Sequence, residues 1–330
     1  MLARASLDQI AGVNFAISHA RLFRTLGRLP YGPAHKTLMA LTWLETWLRW
    51  PLRTLNMLDG VSETFSALDP DGQRFGLTEA ARADFRKNLL YRQVPDLLVL
   101  LTGLERPDFR RRALVIENED VLTHERERGP GAIVVGFRMG VYPVIPWVLG
   151  SLGSPVSMVV GNETLVGQGR GLGQSFLPSS SQRVRFIDAR DSLVLARCLD
   201  DLNAGGLVCT LLEMSPIKFA KTTDVQFFGW TIQVPYGISY LAAATGRSIV
   251  PATLTREEGP RFRLSFGEPL PAPARSRASI RESTQQLYQA LERQILRSPE
   301  QWVGWTLLSS HMGIELQGAA SSRAPTPVTF

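Results

Sequence analysis

The stretch GAIVVGFRMGVYPVIPW, Gly131 to Trp147, has the layout of a buried strand turning into a helix, and the charged side chain it displays is Arg138. An apolar run, glycines at 136 and 140 and a second apolar run suit a group presented at the carboxyl edge of a sheet, where α/β enzymes place their chemistry. An arginine there does not move protons. Guanidinium keeps its proton to a pKa above about 12 and has no lone pair to accept another, while its planar fork of donors matches carboxylate and phosphate oxygens. Gripping an anion, or stabilising an oxyanion as it develops, is the chemistry open to it. A plainer alternative is that Gly136 and Gly140 only permit a tight turn.

Other residues carry weaker signals. The glycines of VGQGRGLGQS, residues 166–175, suggest a phosphate cradle, but they lack the lysine and the strand–turn–helix order of a P-loop. They read as a flexible loop over a cleft, with Arg170 a candidate phosphate contact. Cys198 and Cys209 fall in segments that read as a helix and a buried strand, without metal-ligand spacing. They are expected to be buried thiols in a reducing, cytosolic setting. His311, in LLSSHMG, is a lone histidine far along the chain.

The elements that must position Arg138 follow from periodicity. Residues 1 to about 125 read as a helical N-terminal region: LTEAARADFRKNLLYRQVPDLLVLL has apolar positions at helical spacing. From Gly131 the character changes. AIVVG, VSMVV, VRFI, LVCTLL and IVPATL alternate with VIPWVLGSL, SLVLARCLDDL and ISYLAAATG. Strands alternating with helices imply an α/β domain, a mostly parallel sheet flanked by helices, over residues 126–316. RFRLSF alternates polar and apolar, as a half-exposed strand near an edge does. A long helix follows, ASIRESTQQLYQALERQILRSPE, with Ser279 and Glu282 in a capping-box pattern. Residues 317–330, small, polar and proline-bearing, read as a disordered tail.

Of 330 residues, 44% are hydrophobic and 20% charged, enough for a substantial core, and the net charge of +6 favours anionic partners. A basic stripe or motif for nucleic acid is not found, and Arg110 to Arg112 read as a solvated helix end. No signal peptide is evident. Lys36 to Leu52 is the best membrane candidate, but Glu45 and Arg49 interrupt it. Trp43, Trp47 and Trp50 would share a helix face, which suits either a membrane interface or packing on the domain.

From about Asn88 to Trp305 the sequence resembles the lysophospholipid acyltransferase superfamily, nearest its bacterial branch of lipid A lauroyl and myristoyl acyltransferases. The matching pieces come in order: GAIVVGFRMGVYP, PVSMVVGNETL, LNAGGLVCTLLEMSP, VQFFGWTIQVPYGISYLAAATGRSIVPATLTRE, FRLSFGEPL and SPEQWVGW. The resemblance implies a glycerolipid acyltransferase-like fold, peripheral to the inner membrane face. The implied reaction moves a fatty acyl group from an acyl carrier protein or coenzyme A thioester, with no bound cofactor. It also implies an acidic position at Glu213 and an aromatic one at Tyr142. Phe227, Phe228 and Trp230 beside Gly229 are candidates to line an acyl-chain tunnel, but buried aromatics next to a glycine are more often core, which is the favoured reading.

The family's first block pairs a histidine with an aspartate or glutamate four intervening residues later, a general base with its orienting acid. Here Arg138 and Pro143 occupy those places, and neither can do that work. Three readings follow. The protein transfers acyl groups to a non-standard acceptor such as an amine, with Arg138 and Gly140 at the substrate and Glu213 or His311 as replacement base. Alternatively it is an inactive relative that binds acyl chains as a partner in a biosynthetic complex. A changed reaction on the same fold is the third. For Glu213 the non-catalytic explanation is a strand-end carboxylate paired with Lys218 or Lys221.

Overall fold

Runs of β-branched and aliphatic residues become strands here because both faces of the sheet they form are covered. The computed structural model describes residues 20–26, 28–30, 32–34, 36, 37, 40, 93–161, 163–177, 179, 182–213, 221–258 and 261–306. Trp43, Trp47, Trp50, His311 and the tail of residues 317–330 lie outside the described residues.

Seven strands form the main sheet: β1 (Leu114–Glu117), β2 (Ala132–Gly140), β3 (Val156–Val160), β4 (Val184–Asp188), β5 (Leu207–Leu211), β8 (Ile249–Arg256) and β9 (Phe262–Phe266). Their spatial order is β1-β9-β8-β2-β5-β3-β4. β8, β2, β5, β3 and β4 run parallel, β9 is antiparallel to β8, and β1 is parallel to β9. The sheet is therefore mostly parallel, as the alternating pattern implies. β9 lies next to the edge strand, and its burial alternates as expected of RFRLSF. β1 falls within the stretch expected to be helical; its four residues are too short a run to show a period against the flanking helices.

The bounded helices among the described residues are, in chain order, α1 (Ala20–Leu26), α2 (Gln93–Gly103), α3 (Pro107–Ala113), α4 (Asp120–Glu127) and α5 (Ile145–Ser151). They continue with α6 (Glu163–Phe176), α7 (Val194–Asn203), α8 (Gly237–Thr245) and α9 (Arg277–Arg297). Alternation along β2 splits the core. Ala132 and Val134 join one cluster with α2 and α5, whereas Ile133, Val135, Phe137 and Met139 join another with α7, α8 and α9. Helices thus cover both faces, which is why these strands read as continuous apolar runs.

Three expectations change. The glycine-rich run 166–175 is not a loop but most of α6. Helical glycine is costly, yet a Cβ on Gly169 would sit 2.4 Å from the Phe186 ring of β4, so glycine lets this helix lie close to the sheet. α9 starts a turn before Ser279: Ser276 is its cap, accepting a hydrogen bond from the Ser279 N–H at 3.1 Å. And β2 does not turn at Gly136. It runs on to Gly140 through a register shift against β8, and the turn into α5 is the short 3-10 segment Tyr142–Val144.

Outside the sheet, β6 (Thr222–Phe227) and β7 (Trp230–Pro235) form an antiparallel hairpin. Its two-residue loop, Phe228–Gly229, has both φ angles positive, at 49° and 80°, as tight twisted hairpins require. Phenylalanine adopts this conformation at a cost, met here by two contacts: its N–H donates to Glu292 on α9, and its ring stacks on Trp305 at 6.4 Å.

Candidate active site

β2 and β5 are neighbours at the centre of the sheet, and their carboxyl ends bring Arg138 and Glu213 together. The irregularity in β2 between Gly136 and Gly140 takes Arg138 out of the regular ladder. Its backbone N–H then donates to the Glu213 carboxylate, 3.0 Å to Oε1 and 3.2 Å to Oε2. Gly140 closes the bulge with φ at +51°, where a Cβ would lie 2.5 Å from the Leu254 carbonyl oxygen. Only glycine allows that approach between β2 and β8.

The Arg138 side chain is half-buried. Its Nε is fully buried with no hydrogen-bond partner among the described residues, and its guanidinium carbon lies 6.0 Å from the centre of the Tyr142 ring. An unsatisfied buried donor on a fixed cation is costly, and the site gains most from a ligand that can accept. Tyr142 is the half-buried aromatic beneath it, and the adjoining Pro143 lies within the same short 3-10 turn.

Glu213 is 5% exposed. Burial pushes its carboxyl above the ordinary range; the Arg138 charge and the hydrogen bonds from Trp302 and the Arg138 N–H oppose that rise. The Trp302 indole Nε1–H donates to Oε1 at 2.9 Å. Two donors therefore reach this carboxyl; of the expected alternative partners, Lys221 lies over the Tyr240 ring at 5.5 Å, and Lys218 lies outside the described residues. Tyr288 of α9 is also close enough to feel both charges: burial raises its hydroxyl pKa, Glu213 adds to the rise and Arg138 opposes it.

Trp302 is the residue that sequence reasoning missed, although SPEQWVGW was part of the resemblance. Its neighbour Gln301 pairs with the end of β8: the Arg256 N–H donates to Oε1 at 2.8 Å and Nε2 donates to the Arg256 carbonyl at 2.9 Å. Trp302 itself bridges Met139 of β2 and reaches Glu213 after β5. One short C-terminal segment thus laces together the ends of the three central strands. A run of Pro, Glu, Gln and Trp after a long helix was the available signal, but nothing in spacing says where it returns.

The other residues singled out by the sequence lie elsewhere in the fold. Phe228 and Phe227 belong to an aromatic cluster with Tyr288, Trp302 and Trp305, at centroid distances of 4.7–6.4 Å. Phe228 is 5% exposed and, with Gly229, forms the hairpin turn. Arg170 is exposed on α6, which packs on β4 at the sheet edge. β4 stands three strand spacings from β2, about 14 Å. Arg110 to Arg112 do occupy the last turn of α3. Cys198 and Cys209 are buried free thiols on α7 and β5. Among the described residues no group of histidine, cysteine and carboxylate side chains could hold a metal, and no helix is long and apolar enough to cross a membrane.

Residues 173–307 match the family model of bacterial lipid A biosynthesis acyltransferases. The matched span contains Glu213, the β6–β7 hairpin, α9 and Trp302, while Arg138 precedes it. The match supports an acyltransferase-type activity, in keeping with the α/β sheet and the ordered resemblance. No curated protein matches the chain.

Proposed function

We propose that this protein moves a fatty acyl group from an acyl carrier protein or coenzyme A thioester to an amine-bearing acceptor, with Arg138 as the anion-gripping residue. The observation that carries the reading is the half-buried Arg138 at the carboxyl end of the central strand, fixed by Glu213 and with a buried Nε that has no partner among the described residues. An unprotonated amine attacks a thioester carbonyl without a strong enzymic base. The nitrogen–carbon bond forms, the carbon–sulfur bond breaks, and the proton released by nitrogen ends on the thiol. Arg138 holds an acceptor carboxylate or phosphate, or the oxyanion of the tetrahedral intermediate.

Glu213 belongs to this site as the group that orients Arg138 and balances its charge. Its raised pKa suits a base, but both of its oxygens already accept hydrogen bonds. His311 stays a candidate base on sequence alone. Gly140 and Tyr142 are proposed to border the substrate. A basic chain at the inner membrane face would meet anionic headgroups as well as acidic carrier proteins.

The occupied carboxyl of Glu213 also favours a second reading, an inactive relative that binds acyl chains as a partner. Mass spectrometry separates the two. Purified protein is mixed with acyl carrier protein and coenzyme A thioesters and a pool of amine and hydroxyl acceptors, with Arg138→Ala beside it. A new acylated amine that depends on Arg138 supports transfer. Unchanged donors together with acyl-chain binding support the partner.

A further inference from the structure

We infer that Trp302 is a positioning residue for Arg138, acting through Glu213. The inference rests on Arg138 being the ligand contact. The Glu213 carboxylate accepts from two donors that flank it in sequence, the Arg138 backbone N–H before it and the Trp302 indole after it. Trp302 is fully buried, and its own place is tightly specified. Its ring meets Trp305 edge-on at 4.7 Å and Phe227 at 5.8 Å, and its backbone bridges Met139, the residue after Arg138. Gly304 lies under the indole: a Cβ there would sit 2.2 Å from Cζ2 and 2.8 Å from the donating Nε1.

These contacts make one chain of positions, from the C-terminal segment through the indole and the carboxylate to the bulged end of β2. A charge-assisted hydrogen bond from a rigid ring holds Glu213 in one rotamer. With Glu213 fixed, the Arg138 N–H has one acceptor and the side chain leaves the strand in one direction. Preorganised support of this kind separates a site that merely contains the right residue from one that holds it in a productive geometry. Trp305 serves as the internal comparison. It is an equally buried tryptophan in the same cluster, but its indole donates to the Pro299 carbonyl at 2.7 Å instead of to Glu213.

The test is hydrogen exchange of the Arg138 backbone amide in the full chain, with folding of each variant checked by near-ultraviolet circular dichroism. Trp302→Phe keeps an aromatic ring and removes the donor; Gly304→Ala keeps the donor and displaces the ring. Both are expected to speed exchange of the Arg138 amide by at least about tenfold, the scale of one charge-assisted hydrogen bond. Trp305→Phe, which keeps an aromatic ring against Trp302 and leaves the indole donor to Glu213 in place, is expected to change that amide far less than either, and Glu213→Ala marks the released limit. Equal Arg138 exchange in Trp302→Phe, Gly304→Ala and the wild type would overturn the inference, as would an equal effect from Trp305→Phe. If Trp302→Phe does not fold, Gly304→Ala carries the comparison. Transfer assays run in parallel keep the two ideas apart. The expected exchange pattern without any acylated product removes the transfer reading and leaves the tie. Product that depends on Arg138, with exchange indifferent to Trp302, does the reverse.

Discussion

Trp302 and Glu213 are 89 residues apart in sequence and joined by a 2.9 Å hydrogen bond from indole to carboxylate. The same carboxylate oxygen also accepts from the backbone N–H of Arg138, 75 residues earlier. The centre of the candidate site is thus a meeting of three distant segments. Buried contacts hold them, and the charge on Glu213 is opposed by its burial.

Loss of the cation should abolish the proposed grip. Arg138→Ala is expected to reduce acylated product by about 100-fold or more, the range seen when one preorganised oxyanion donor is removed. Arg138→Lys should recover part of the rate, because it restores a point charge without the two-pronged donor geometry. Initial rates by mass spectrometry check this, and full activity in Arg138→Ala would remove the residue from the mechanism.

Glu213 should leave a signature in stability against pH. Its folded pKa lies above the ordinary value of 4.5, so between those two values the native state holds more protons than the unfolded chain. Stability then falls as pH rises through that window, and the contribution of the neutral carboxyl is fully present only on the acid side. Thermal unfolding of wild type and Glu213→Gln from about pH 4 to about pH 8 reads the difference. The wild type should lose ground to the variant as pH increases; a constant gap would mean that the carboxyl has no raised pKa.

The thiols should be silent in the native protein. Burial pushes Cys209 up to about 12 and Cys198 to about 11, so almost no thiolate forms at about pH 8. A disulfide reagent should label neither thiol until denaturant is added, then both. Rapid labelling of native protein would place one of them at an opening of the structure.

Gly140 should resist replacement. A Cβ at φ +51° would strain the backbone and press on the Leu254 carbonyl at 2.5 Å. Gly140→Ala is expected to cost about 1–3 kcal/mol, the cost of a residue held in a sparsely populated conformation. Urea unfolding measures it, and a midpoint equal to the wild type would show that the bulge relaxes freely.

How much of this was legible beforehand differs from element to element. AIVVG, VSMVV, LVCTLL and IVPATL announce themselves as strands because a sheet covered on both faces needs apolar residues at every position. Arg138 stands out for the same reason, as the one charge in thirty residues from Gly131 to Val160. The glycines of α6 misled because composition records their freedom but not the Phe186 ring they make room for. Ser276 and Ser279 are chemically equivalent caps in sequence, and only the extended backbone at Ser276 chooses between them.

Local chemistry therefore determined the central strands and the long C-terminal helix and singled out Arg138 as the charge displayed there. That much depends on periodicity and on the properties of single side chains, which neighbours in sequence reveal. Tertiary structure alone decided that β2 runs past Gly136 in a bulge, that Glu213 is buried against the Arg138 N–H, and that Trp302 closes the arrangement. Those outcomes depend on strand order and on a C-terminal segment returning across the ends of β8, β2 and β5. Contacts between residues so far apart leave no period in the sequence to read.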